Sequence, residues 1–302
     1  MQTKSKIILV FGPTSSGKST FAIKLAKKVG GEIINADSMQ VYKELKVLTA
    51  RPTEKDHKKV KHHLYGFLNV KKNFSTGQWQ KLALKKIKEI KKKNKIPILV
   101  GGTGIYFKSI TKGLVKIPKI PIYFRNKIRK LQFKLGQDKF YKNLIKIDPF
   151  VKDKVNSKDI QRSIRAYEVK KFTKVSLYKW FEKTQILFED SDFIKIFIDF
   201  PRQDLIVRIE KRTNKMLRNG AIEEVKNFLK KNIGKSKSSN KVIGINEISL
   251  YLSNKQNLVL TKDQIAIKTR QYAKRQLTWA RGQMKDWQKI MPEHLNSYIK
   301  KL

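Results

Sequence analysis

Ile7 to Phe11 is an unbroken apolar run ended by Gly12-Pro13, the pattern of a strand buried on both faces of a parallel sheet. From Ser19 to Val29 the spacing changes, and Phe21, Ala22, Leu25 and Ala26 fall on one face of a helix. Glu32 to Asn35 predicts a second short strand, leading into Asp37. Lys95 to Val100 predicts a third, entered at Ile96-Pro97 and ended by Gly101-Gly102, and Phe193 to Asp199 a fourth. Helical patterns lie between them, including Trp79 to Lys93. Strands alternating with helices imply a parallel α/β sheet with crossover connections.

The stretch from Lys116 to Asp192 departs from this rhythm. It predicts helices around Tyr123–Leu135 and Ile160–Phe172 with no strand between them. The expected division is therefore a core domain of residues 1–115 and 193–302 with a helical insertion of residues 116–192. Ile233 to Asn240 is a polar, flexible-looking loop. Gln264 to Lys285 predicts a long basic helix, and no internal repeat is visible.

Composition narrows the partners. The 302 residues hold 69 Lys+Arg against 24 Asp+Glu, a formal charge of +45. A field of that sign concentrates polyanions, which points to nucleic acid. The chain is also rich in Lys, Asn and Ile, residues with A/T-rich codons, so the charge counts only beside a more specific motif. The absence of cysteine excludes disulfides and thiolate metal sites and fits a reducing compartment. The N-terminal apolar run is too short for a signal peptide, and no run approaches the ~20 residues that span a bilayer. A cytoplasmic protein with no membrane partner is the expectation.

Gly12-Pro13-Thr14-Ser15-Ser16-Gly17-Lys18-Ser19 matches G-x-x-x-x-G-K-[ST] between an expected strand and an expected helix, the context the pattern requires. Its backbone N–H groups and the helix N-terminus make an anion nest. Lys18 adds a point charge, and the Ser19 hydroxyl can ligate Mg²⁺. The hydroxyls of Thr14, Ser15 and Ser16 either touch phosphate or fill the turn. The expected fold is thus α/β, a P-loop NTPase-like parallel sheet flanked by helices, with a helical insertion domain.

Such a loop specifies phosphate, not a reaction. P-loop proteins that hydrolyse ATP often end a strand with an acidic residue that helps hold Mg²⁺ and water. The third strand here runs instead into Gly101-Gly102-Thr103-Gly104. Thr103 either hydrogen-bonds a leaving-group oxygen or satisfies a loop end. Asp37 follows the second strand, and residues just past strand C-termini line the crevice of an open α/β sheet. Its carboxylate can hold Mg²⁺ through water or accept a proton; capping a following helix is the plainer alternative. His62 and His63 lack the partners of a metal site, and Trp180 and Trp279 fit core packing better than base stacking.

The order of the blocks resembles one family. The phosphate loop, Asp37-Ser38-Met39-Gln40-Val41-Tyr42, Thr49–Thr53, His62–Leu64, Pro97–Thr103 and Tyr106-Phe107 look like the bacterial tRNA dimethylallyltransferases, also called tRNA isopentenyltransferases. Gln161–Arg165, Arg212, Gly244 and Thr269–Gln276 continue the match over nearly the whole chain. The Asp37–Tyr42 and Thr269–Gln276 blocks are more specific than the phosphate loop.

The resemblance implies transfer of a dimethylallyl group from dimethylallyl diphosphate to the exocyclic amine of an adenosine, at tRNA position 37 beside the anticodon, in tRNAs reading codons that begin with U. It implies that Gly12–Ser19 cradle the diphosphate, that Lys18 and Arg212 neutralise it, and that Ser19 lies near Mg²⁺. Asp37 would be the general base and Thr103 the contact to the oxygen between the dimethylallyl carbon and phosphorus. Ser38, Met39 and Gln40 would surround the target base. Arg125, Gln161, Arg162, Ser163, Ile164 and Arg165, with Thr269, Arg270, Gln271, Lys274, Arg275 and Gln276, would contact the tRNA anticodon stem-loop. The enzyme would act as a monomer. Glu44 and Leu48 stand where the family usually has glycines, and Ile245-Asn246 where it has Tyr and a basic residue. With no cysteine and an end at Leu302, the C-terminal zinc finger of many eukaryotic members is not expected.

Three other readings compete. A small-molecule kinase explains the phosphate loop but not the basic insertion. A prenyltransferase of free adenine nucleotides shares the core but not the insertion and basic C-terminal helix. An RNA-binding protein with a vestigial loop leaves Lys18, Ser19, Asp37 and Thr103 unexplained.

Overall fold

Five apolar residues in a row leave a strand no polar face to turn to water. Ile7–Phe11 forms β1, and all five side chains are 0% exposed. The computed structural model describes residues 6–234 and 236–301. Met1–Ser5, Lys235 of the polar loop, and Leu302 lie outside the described residues.

The other strands are β2 (Gly31–Asn35), β3 (His62–His63), β4 (Ile96–Gly101), β5 (Phe193–Ile198) and β6 (Gln288–Ile290). They form one sheet in the order β3-β2-β4-β1-β5-β6. Every pairing is parallel, with Ile8 opposite Ile98 and Ile7 opposite Phe193. The four predicted strands are present. The two-residue β3 and three-residue β6 sit at the edges and carry too few apolar positions to be read from pattern.

The helices are α1 (Lys18–Val29), α2 (Glu54–Lys59), α3 (Thr76–Lys91), α4 (Gly104–Thr111), α5 (Ile122–Ile147), α6 (Ile160–Thr173), α7 (Leu177–Glu182), α8 (Arg202–Arg218), α9 (Ala221–Leu229), α10 (Ile245–Leu252), α11 (Leu258–Gln283) and α12 (Leu295–Lys301). Helix α5 was expected to end at Leu135. It bends at Gly136, whose φ of +72° is non-helical, and continues because Phe140 and Leu144 bury one face of its second half.

The chain divides into two compact units, residues 1–109 with 188–302 and residues 110–187, against the expected insertion of 116–192. Phe188 packs edge-on to Phe193, centroids 5.6 Å apart, so it sides with β5. A β-carbon on Gly113 would lie 2.2 Å from the Gln185 carbonyl, which draws both ends into the second unit. That unit has its own core of Ile128, Phe140, Leu144, Val151, Tyr167 and Leu177. The loop of residues 233–240 is less free than its polarity suggests: Ser239 is buried and donates to the Val70 carbonyl at 2.8 Å.

β1 and β4 lie side by side at the centre, so the turns after them share one crevice. The backbone there is packed without slack. The Ala36 N–H donates to the Val100 carbonyl at 2.8 Å and the Thr103 N–H to the Ala36 carbonyl at 3.2 Å. A β-carbon on Gly101 would lie 2.0 Å from the Ala36 carbonyl oxygen. Trp79 braces the same corner, donating to the Asn35 carbonyl at 2.8 Å and stacking on Tyr106 at 4.1 Å.

Gly101→Ala should therefore separate β4 from residue 36 and lower stability by about 3 kcal/mol, the upper range for overpacking. Urea unfolding checks this, and a wild-type midpoint would contradict the close approach.

Candidate active site

A chain that must surround an anion with N–H groups has to curl its backbone. Ser15 and Gly17 adopt left-handed conformations, with φ of +64° and +82°, between β1 and α1. Such a turn aims successive N–H groups into one concavity. The Ser15 and Ser16 side-chain oxygens are buried with no hydrogen-bond partner, a cost that an anion would remove. Lys18 folds back so that its ammonium donates to the Pro13 carbonyl at 3.0 Å. Ser19 is exposed in the first turn of α1.

Two arginines of α8 reach this loop. Arg212 Nη1 donates to Thr14 Oγ1 at 2.7 Å and Arg208 Nε to the Ser15 carbonyl at 2.8 Å. Sequence reasoning missed Arg208. Its position one helical turn before Arg212, on the same face, was the available signal.

Helix α11 closes the loop from the other side. Gln276 accepts from the Thr14 N–H at 2.8 Å and donates to the Gly102 carbonyl at 2.8 Å. A β-carbon on Gly102 would lie 2.1 Å from the Gln276 amide, and one on Gly104 would lie 2.2 Å from the Trp279 ring. These glycines leave room for α11. Gln276 is 5% exposed, which corrects its expected role as a tRNA contact: its carboxamide is spent on the phosphate loop. Trp279 packs as core, tilted against Phe11 at 6.3 Å.

Asp37 follows β2. No helix starts behind it until Glu54, so it does not cap one; its Oδ1 accepts the Met39 N–H at 2.9 Å, while its own N–H donates to Asn35 at 2.8 Å. Thr103 Oγ1 accepts the Ser38 N–H at 2.9 Å and donates to Ser38 Oγ at 3.2 Å, a long bond that a better acceptor would displace. Thr14, Lys18, Asp37, Met39, Gln40 and Arg212 line one pocket, together with Leu48, Met216, Val242, Ile243 and Ile265. Ser38 and Thr103, both partly exposed, flank Asp37 through these hydrogen bonds. Gln40 uses its amide to donate to the Thr49 carbonyl at 2.8 Å.

Burial sets the electrostatics. Desolvation holds the Lys18 ammonium down to about 8; Asp37 opposes this and Arg212 adds to it. Part of the Lys18 stem is exposed, but its charged end is enclosed. Burial first, and the Asp37 charge second, push the hydroxyls of Tyr65, Tyr106 and Tyr272 well up, so all three remain donors. Tyrosine positions carried no sequence signal of this, because only the fold gathers them round Asp37.

The remaining expected contacts divide sharply. On α11, Gln271, Lys274 and Arg275 are exposed. Arg270 lies 3.6 Å from Glu210, and the half-buried Thr269 donates to the Ile265 carbonyl at 2.7 Å. In the second unit Gln161 and Arg162 are exposed, while Arg125 and Arg165 lie 3.2 and 3.5 Å from the buried Glu168 carboxylate. Ser163 and Ile164, however, are 0% and 8% exposed. They face the core of α6, and Ser163 donates to the Asp159 carbonyl at 2.7 Å, which corrects their reading as tRNA contacts. Trp180 likewise packs on that core and donates to Thr173 at 3.1 Å. His63 pairs with the buried Glu32 at 2.7 Å, a structural role.

The departures from the resembling pattern are absorbed by packing. Glu44 accepts from the Asn69 side chain at 2.8 Å. Ile245 is buried at the start of α10 and Asn246 is exposed.

Residues 40–283 match the sequence model of the IPP transferase family. The chain is 59% identical over 302 residues to a tRNA dimethylallyltransferase of Pelagibacter ubique (strain HTCC1062), covering 100% of this chain and 96% of that protein. Among solved structures it is similar to a tRNA delta(2)-isopentenylpyrophosphate transferase from Staphylococcus epidermidis, with 30% identity, a TM-score of 0.69, and 98% and 96% of the two chains covered. It is also similar to a eukaryotic dimethylallyltransferase acting on tRNA, with 26% identity, a TM-score of 0.83, and 95% and 74% covered.

Lys18 should titrate near pH 8, followed by NMR of its labelled side chain. Asp37→Asn removes the charge that raises it and should move the midpoint lower. Between about 8 and the ordinary 10.5 the unfolded chain holds a proton that the folded chain has lost, so stability should rise with pH across that window. A midpoint near 10.5 would contradict the enclosed ammonium.

Proposed function

The chain belongs to the IPP transferase family, and on that premise we propose that the pocket between the phosphate loop and Asp37 is where a dimethylallyl group passes from its diphosphate to tRNA. The reaction is that of a tRNA dimethylallyltransferase, which the activities of the relatives support over a kinase or an enzyme of free nucleotides. The observation that carries the assignment of the site is the sharing of one pocket by the cations Lys18 and Arg212, the carboxylate of Asp37 and an apolar wall.

The chemistry follows from that arrangement. An adenine amine is a weak nucleophile, and Asp37 takes its proton as the new N–C bond forms. The allylic C–O bond breaks and its electron pair leaves with the diphosphate. The turn at Gly12–Ser19, with Lys18 and Arg212, stabilises that growing charge. Thr103 turns its O–H from Ser38 to the oxygen that departs. The apolar wall keeps water from a carbon with cationic character. Met39 and Gln40 border the base, which must leave its stack to enter; the acceptor is the adenosine beside the anticodon.

Among the described residues no group of three or more His, Asp or Glu could hold a metal ion. The Ser19 hydroxyl, exposed in the first turn of α1 beside the phosphate loop, suits an Mg²⁺ that arrives with the diphosphate and keeps most of its waters. When bound, the ion would neutralise diphosphate charge. The exposed Arg162, Gln271, Lys274 and Arg275, with Arg125, Arg165 and Arg270, are the proposed tRNA contacts, serving register more than sequence. No helix of the described residues is long and apolar enough to cross a membrane.

Incubation with labelled dimethylallyl diphosphate, Mg²⁺ and tRNA should place label in tRNAs whose anticodon is followed by adenosine. Label only in free AMP, or ATP-dependent phosphorylation, would overturn the reading. Asp37→Asn should lower transfer about 10²- to 10⁴-fold, the usual worth of a general base, with tRNA affinity kept. Wild-type turnover by that variant would remove Asp37 from the role.

A further inference from the structure

A residue that merely closes a loop has no need of bulk. Leu48 is nonetheless 4% exposed and packs among Met216, Val242, Ile245 and Ile265. Its Cδ2 lies 2.6 Å from where a β-carbon on Gly244 would stand. Gly244, at φ +106°, therefore yields the space that the Leu48 side chain fills.

The same side chain lines the pocket that holds Thr14, Lys18, Asp37 and Arg212. Its backbone is tied down from both directions. Glu224, in the first turn of α9, accepts the N–H groups of Lys46, Val47 and Leu48 at 2.7, 2.7 and 2.9 Å. The Leu48 carbonyl accepts from Arg212 Nη2 at 3.4 Å. Three successive N–H groups on one carboxylate fix the loop, so the Leu48 side chain is a set wall and not a movable flap.

The pocket thus has a cationic part and an apolar part, as an allylic diphosphate has a charged head and a hydrocarbon tail. An allylic diphosphate with its head at Lys18 and Arg212 would lay its tail against Leu48, Met216, Val242 and Ile265, which line the same pocket. We propose that Leu48 is a specificity-determining residue: it closes the apolar end of the pocket and limits the donor to a five-carbon chain, excluding its ten-carbon homologue. This inference rests on the proposed function above and deepens it.

The test compares kcat/KM for dimethylallyl diphosphate and geranyl diphosphate with an anticodon stem-loop as acceptor, in the wild-type chain and in Leu48→Ala, Leu48→Val and Leu48→Met. The wild type should prefer the shorter donor. Leu48→Ala should shift the ratio toward the longer one by about tenfold or more, within the usual range for hydrophobic-pocket discrimination. Leu48→Val should shift it less and in the same direction, and it keeps the test open should the alanine variant not fold. Leu48→Met, which conserves volume, should leave the ratio near wild type. An unchanged ratio in a folded alanine or valine variant that still transfers dimethylallyl would overturn this inference alone, as would efficient use of the geranyl donor by the wild type. Transfer from neither donor by the wild type would overturn the proposed function, and this inference with it.

Discussion

The site depends on a single carboxamide. Gln276 takes the Thr14 N–H and gives its own N–H to the Gly102 carbonyl, so α11 fastens the turn after β1 to the turn after β4. Both backbone groups point into a place that water does not reach, where an unpaired group costs about 1–3 kcal/mol. The glycines of the β4 turn follow from the same contact, since Gln276 and Trp279 occupy the space their side chains would need. The phosphate loop is therefore not a free-standing motif. It is one wall of a joint whose other walls lie far away in sequence.

Around that joint the fold gathers charge it does not solvate. Lys18 and Arg212 are pressed toward their neutral forms by burial, and Asp37 pulls both back. Ser15 and Ser16 keep hydroxyls without partners. Each of these is unfavourable in the protein alone and favourable once an anion arrives, which is the preorganisation that the proposed departure of a diphosphate requires. The loop that follows Asp37 is held by a different device, the Glu224 carboxylate across three backbone N–H groups. Arg212 of α8 joins the two parts, since it reaches Thr14 of the phosphate loop and also the Leu48 carbonyl of the apolar wall.

Much of this could be read in the sequence, and the gaps have physical causes. The four inner strands were legible because burial on both faces makes them mostly apolar, with Glu32, Asn35 and Lys195 as buried polar exceptions, whereas β3 and β6 are too short to show a period. The phosphate loop, Asp37 and Arg212 were legible as chemistry tied to turns and blocks. Arg208, Leu48 and the three tyrosines were not, because their meaning depends on which distant segment the topology brings beside them. Ser163, Ile164 and Gln276 show the reverse failure: a block that resembles a binding motif also contains the residues that pack it in place, and only burial separates the two. Gly136 shows how an anticipated helix end becomes a bend when apolar residues one turn further on still have a core to meet.

Gln276, through its two hydrogen bonds, holds the phosphate loop in the form proposed to take a diphosphate. Isothermal titration of inorganic diphosphate into wild type and Gln276→Met tests it, with circular dichroism to establish that the variant is folded. Methionine keeps the length and loses both hydrogen bonds, so binding should weaken about 10- to 100-fold, the equivalent of one or two orphaned buried groups. A folded Gln276→Met that binds diphosphate as tightly as wild type would remove Gln276 from that role.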